Sequence, residues 1–102
     1  MPAIHLIERL GNYQCVDKVS NEWESGYWVV AEDTAAQLVG GQLYLHDAQD
    51  KPSRFGGDIL SFRVHRGGDQ DGRVVFRFKP TPHCKNVRAG RDAWGNEKKI
   101  VW

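Results

Sequence analysis

A mainly β fold of the α+β type, a small barrel or a strongly bent antiparallel sheet with one or two short helices, is the class this sequence predicts. Three observations carry it. Apolar and polar residues alternate with a period of two at 42–46, 60–65 and 73–79, as in half-buried strands. Glycine and proline breaks recur at short intervals between these stretches. Only one segment, near 34–40, has the signals of a helix. A chain of 102 residues suffices for one hydrophobic core and is too short for two, so a single domain over 1–102 follows.

Taken in order, Ile4, Leu6, Ile7 and Leu10 fit either a short helix or an irregular first strand. Gly11-Asn12 breaks that element, and 13–19, with Cys15, Val16 and Val19 among polar residues, is a weaker strand candidate. The stretch 20–26 is polar apart from Trp23, and Ser25-Gly26 reads as a turn into a buried strand at 26–31, where Tyr27, Trp28, Val29 and Val30 are consecutive. Thr34 and Gln37 have the spacing of a capping box, and Gly40 supplies a left-handed stop. A helix of barely two turns there must pack Ala35, Leu38 and Val39 on the sheet to survive. The pattern then places Leu43 and Leu45 against Tyr44 and His46, and Leu60, Phe62 and Val64 against Ser61, Arg63 and His65. Residues 65–72 form a polar, glycine-rich hairpin connection. In 73–79, Val74, Phe76 and Phe78 oppose Arg73, Val75, Arg77 and Lys79, and Pro80 and Pro82 close the strand. Residues 83–97 have no sustained period and read as an ordered loop around Trp94, with a last short strand at 98–102.

Composition excludes several classes of protein. Hydrophobic residues at 40% and charged residues at 26% are ordinary for a globular domain. No apolar run reaches the ~18 residues of a spanning helix, and 1–10 lacks the apolar core and cleavage site of a signal peptide. A cytoplasmic, non-membrane protein is expected. Cys15 and Cys84 have no CxxC partner and read as two reduced thiols. The pair His83-Cys84 lacks a second pair at ligand spacing, so neither a metal nor another cofactor is expected. The net charge of +1 conceals an asymmetry: residues 1–62 carry four Lys or Arg against nine acids, and residues 63–102 carry ten against four. Such a chain either presents a basic face or neutralises one half with the other on folding.

The stretch from 42 to 64, QLYLHDAQDKPSRFGGDILSFRV, reads as two strands joined by an irregular loop too long for a tight hairpin. Loops of this kind, held on a strand scaffold, are where binding residues gather. His46 at a strand end, Pro52, Gly56 and then Ile59-Leu60 resemble the central pattern of EVE domains in the PUA-like group. Ser53-Arg54-Phe55-Gly56-Gly57 is similar to a run in the related YTH domains, and Tyr27-Trp28-Val29-Val30 to the first strand of EVE domains. The resemblance covers roughly residues 26–82. It implies a PUA-like barrel that holds a modified or unpaired base in an aromatic pocket lined by Trp28 and His46. It also departs from the family, since only 31–41 occupies the interval where EVE domains carry a helical insertion with further pocket residues.

Nucleic-acid recognition without catalysis is the expected function, with Trp28, His46, Arg54, Phe55, Arg63, Arg73, Arg77, Trp94 and Lys98 as candidate ligand-binding residues. Aromatic faces stack on unpaired bases while neighbouring cations neutralise phosphates. Strand alternation sets Arg63 and Arg77 on one face with Arg73 nearby, and Trp94 and Lys98 are expected on the same side. Acids placed against these arginines, with Asp58, Asp17 and Glu8 the ones considered, would make the cluster a structural ion-pair network. Two alternatives stand beside this reading. One is a small regulatory or counter-defence protein that binds another protein through the acidic half. The other is a ribonuclease-type toxin using His46, His65 or His83 with a nearby cation. No phosphate-binding glycine motif or nucleophile elbow is present.

Overall fold

The computed structural model describes residues 2–90, 94–95 and 97–102. Seven strands and one α-helix follow in the order β1 (Ala3–Ile7), β2 (Tyr13–Asp17), β3 (Glu22–Trp28), α1 (Glu32–Leu38), β4 (Gln42–His46), β5 (Ser53–Val64), β6 (Val74–Pro80) and β7 (Lys98–Val101). All seven strands join one sheet in the order β2-β3-β6-β5-β4-β1-β7. The predicted mainly β class is the observed one. The sheet is mixed rather than wholly antiparallel, because β1 and β4 run parallel, with Ile4 opposite Leu43 and Leu6 opposite Leu45. The chain makes a β2–β3 hairpin and α1 between these two strands, and a parallel pair needs a long connection of that sort.

Alternation along the strands sends Ile4, Leu6, Leu43, Leu45, Ile59, Val74, Phe76 and Phe78 to one face, where Trp28, Val30, Ala35 and Leu38 complete the core. The sheet is strongly bent over this core. Tyr13 on the edge strand β2 lies with its ring centroid 5.7 Å from that of Phe55 on β5, although β3 and β6 separate those strands in the sheet. Lys98, on the opposite edge strand, donates from Nζ to the Val29 carbonyl just past β3. Gly56 and Gly57 lie where β5 passes between β4 and β6, and backbone crowds them from both sides. A Cβ on Gly56 would sit 2.1 Å from the Leu43 oxygen, and one on Gly57 2.0 Å from the Lys79 oxygen. Only glycine permits that approach.

Several local expectations are corrected. β5 begins at Ser53, so the glycine pair belongs to a strand and not to the loop before it. The pairing of β5 with β6 slips between Ile59 and Ser61. That bulge turns Leu60 outward to 42% exposure and leaves Ile59 in the core. β3 runs through Ser25-Gly26, and the turn lies earlier, where the Asp17 carboxylate accepts from the amides of Val19 and Ser20. The helix starts before Thr34: Ala31 is its N-cap, no side chain caps it, and Glu32 and Asp33 fill the first turn. Favourable interaction of these two acids with the helix dipole takes the place of the capping box. Val39 is exposed, while Ala35 and Leu38 are buried as expected. The loop expected at 83–97 is entered through a 3₁₀ turn at Pro82–Cys84, and its positions 91–93 and 96 lie outside the described residues. Among the described residues no helix is long and apolar enough to cross a membrane.

Candidate functional site

The three arginines placed on neighbouring strands by alternation have different surroundings. Arg63 lies opposite Val75 and Arg77 opposite Ser61, which puts both arginines on the outer face of the β5–β6 pair. Arg63 donates through Nε and Nη2 to the two carboxylate oxygens of Glu24, at 3.2 and 3.1 Å. Arg77 donates through Nε to Glu22 at 2.6 Å. The Ser20 hydroxyl and the Arg77 guanidinium hold the Glu22 carboxyl below its usual range. The pairing acids therefore come from β3, and Asp58, Asp17 and Glu8 form no ion pair with Arg63 or Arg77. Arg54 is engaged as well: it bonds Asp47 Oδ1 at 2.6 Å, Tyr13 Oη at 2.7 Å and the Glu8 carbonyl at 2.7 Å. Phe55 packs with Tyr13, Trp23 and Phe78 at one end of the core.

Arg73 differs from the other three. It precedes β6, lines an open cleft of about 730 Å³ with Tyr27, Trp28, Val29, Glu97 and Lys98, and has no carboxylate partner among the described residues. A second cleft of about 360 Å³ shares Tyr27, Trp28, Arg73 and Glu97 with the first and runs on to Arg9, Asn12 and Gln70. The shared lining makes them two lobes of one groove, each in the size range of small-ligand sites. Three candidate residues, Trp28, Arg73 and Lys98, meet here. Trp28 contributes little surface, since it is only 6% exposed and its indole N–H is bonded to Ser25 Oγ at 3.1 Å. Tyr27 is the more open ring, half-buried and braced edge-on by His65, with centroids 4.8 Å apart.

His46 and Trp94 lie in a different cluster. His46 is fully buried, and its Nε2 is 2.9 Å from Nδ1 of His5, also buried. Its Nδ1 is 2.8 Å from the Lys51 carbonyl. A carbonyl only accepts, so His46 carries its proton on Nδ1 and receives a hydrogen bond from His5 Nδ1–H on Nε2. His46 is then neutral. Burial, with His46 and Lys99 adding to it, lowers the pKa of His5 from 6.5 to about 4, and burial lowers that of His46 too. Tyr44 stacks on His5 at 4.5 Å. Trp94, half-buried, packs edge-on against both histidines at 6.3 and 5.7 Å and donates its N–H to the Gly90 carbonyl. The histidines of the ribonuclease reading have separate surroundings: His46 pairs with His5, His65 abuts Tyr27, and His83 is exposed in a 3₁₀ turn.

Compared with protein-family models, curated proteins and solved structures, the chain matches none. Among the described residues no group of three or more His, Cys, Asp or Glu is arranged to hold a metal ion.

Tyr27, Gln70 and His5 are the residues of these clusters that sequence reasoning did not single out. Tyr27 read as one apolar position in a buried strand, and its exposure follows from its place at the open end of β3. His5 reaches His46 because β1 and β4 pair in parallel, a long-range contact that local periodicity does not encode. Gln70 sits in a 3₁₀ turn inside the β5–β6 hairpin loop, a segment legible only as polar connection.

Proposed function

We propose that this chain is a non-catalytic binding module for single-stranded nucleic acid, with the groove between Tyr27, Arg73 and Lys98 as its ligand site. The observation that carries the reading is the state of Arg73. Arg54, Arg63 and Arg77 each have a carboxylate partner, whereas Arg73 faces a cleft beside two aromatic residues with none among the described residues. A guanidinium so placed suits a phosphate, and the Tyr27 ring beside it suits stacking on an unpaired base. The resemblance of 26–82 to EVE and YTH domains points to the same ligand class, but the single pocket it implies is not formed, since Trp28 lines the groove and His46 is buried against His5. The protein-partner alternative has less support, because Glu22 and Glu24 of the acidic half are engaged by Arg77 and Arg63.

The test is a titration with single-stranded RNA and DNA oligonucleotides at two salt concentrations, followed by tryptophan fluorescence. Binding should weaken steeply with salt, and Arg73→Ala should lower affinity several-fold and flatten the log–log salt dependence by about 0.7, the contribution of one phosphate contact on a single strand. Absence of binding to every probe at low salt rejects the proposal.

A further inference from the structure

The inner lobe of the groove contains an amide oxygen without a partner among the described residues. Gln70 lines this 360 Å³ lobe, and its Oε1 is buried and has no hydrogen-bond partner among the described residues. A buried, unpaired amide oxygen is destabilising, so the amide gains by turning toward any group that offers a donor. That turn is easy, because the terminal torsion of glutamine is broad. Gln70 also stands where a base would arrive. It shares its lobe with Tyr27, a ring open to stacking, and with Arg73, a cation that has no carboxylate partner among the described residues, while the adjoining 730 Å³ lobe carries Arg73 and Lys98. Arg73, Tyr27, Trp28 and Glu97 line both lobes, Lys98 lines the outer one, and Gln70 lines the inner one together with Glu8 and Arg9, so a carboxamide and cations stand within reach of one nucleotide.

We infer that Gln70 is a base-edge contact. The base of one unpaired nucleotide enters the inner lobe against Tyr27 and hydrogen-bonds the Gln70 carboxamide, and its phosphate lies at Arg73 and Lys98. A carboxamide has a donor and an acceptor side by side, matching the adjacent donor and acceptor on the edge of a nucleobase. This inference rests on the nucleic-acid reading above and goes beyond it by separating a base contact from a phosphate contact.

The two are separated with a pair of single-stranded oligonucleotides that differ only in one central residue, base-bearing in the first and abasic in the second. Gln70→Met keeps the length of the side chain and removes its polar atoms. It should weaken binding of the base-bearing probe about tenfold, leave the abasic probe unchanged and leave the salt slope of both intact. Gln70→Ala, with circular dichroism to verify folding, should act in the same direction. Equal losses on both probes, or no loss on either, overturn the base contact while leaving the nucleic-acid reading in place. If the unmodified protein binds neither probe at low salt, both proposals fall.

Discussion

His5 and His46 share one hydrogen bond in the interior, 2.9 Å long, and it requires one bare ring nitrogen. Protonating His46 at Nε2 would set its new N–H against that of His5, and protonating His5 at its other nitrogen would place a charge in the interior beside Lys99, a cation that helps to lower its pKa. With a folded-state value near 4 and an ordinary value of 6.5, the unfolded chain binds more protons at intermediate pH. The contribution of His5 to stability is therefore complete above about pH 6.5 and is lost as pH falls toward 4, by at most about 3 kcal/mol. The groups facing the ring are His46 and Tyr44 from β4, Trp94, and Lys99 from β7, and among these no carboxylate compensates the added charge. Urea unfolding at pH 7.5 and at pH 4.5 measures the loss. His5→Asn, which keeps a donor near the Nδ1 position without a titrating ring, should flatten this acid limb; an unchanged limb would assign it to other groups. The sequence showed that His46 lies at a strand end but not that it has a histidine partner, because the partner is 41 residues away.

At the scale of elements, legibility tracked how local the cause was. Residues 73–79 could be read as a strand because Val74, Phe76 and Phe78 alternate with Arg77 and Lys79, and β6 buries all three apolar residues. The second arm of the central stretch was legible only in part. Its register changes at a bulge that Leu60, an apolar residue at an apolar position, does nothing to announce. Gly56-Gly57 illustrates the same limit. In sequence the pair looks like a turn, and in the fold it permits two neighbouring strands to crowd β5. Gly57→Ala should therefore cost more than about 2 kcal/mol in urea denaturation, because the clash is with backbone that can yield only by opening the ladder. Gly11→Ala is the control: its φ of +72° imposes conformational strain, but nothing lies within 4 Å of the added carbon, and its cost should be about 1 kcal/mol. If the two variants unfold at the same urea concentration, crowding at Gly57 is not what demands glycine.

For the whole molecule, folding converts a charge asymmetry along the chain into pairing across the sheet. β3 comes from the acidic half and β6 and the end of β5 from the basic half, and because β6 lies between β3 and β5, Glu22 meets Arg77 and Glu24 meets Arg63. The asymmetry was legible by counting charges, but which charges cancel depends on strand order, which the sequence does not spell out. Arginines already paired with carboxylates release no counterion when a phosphate approaches unless the pair first breaks, so the outer face should add little to salt-dependent binding. In the groove neither Arg73 nor Lys98 lies within ion-pair distance of a carboxylate among the described residues, although Glu97 lines the same cleft, and Lys98 lends its amine to the Val29 carbonyl. Arg73→Ala combined with Lys98→Ala should thus reduce the log–log salt slope for a single-stranded probe by about 1.4, two contacts at roughly 0.7 each. Arg63→Ala combined with Arg77→Ala should leave that slope unchanged, because it frees Glu24 and Glu22 on a face away from the proposed site. Should the second double variant flatten the slope as much as the first, the phosphate track runs over the outer face of β3, β6 and β5, and the groove is not the site.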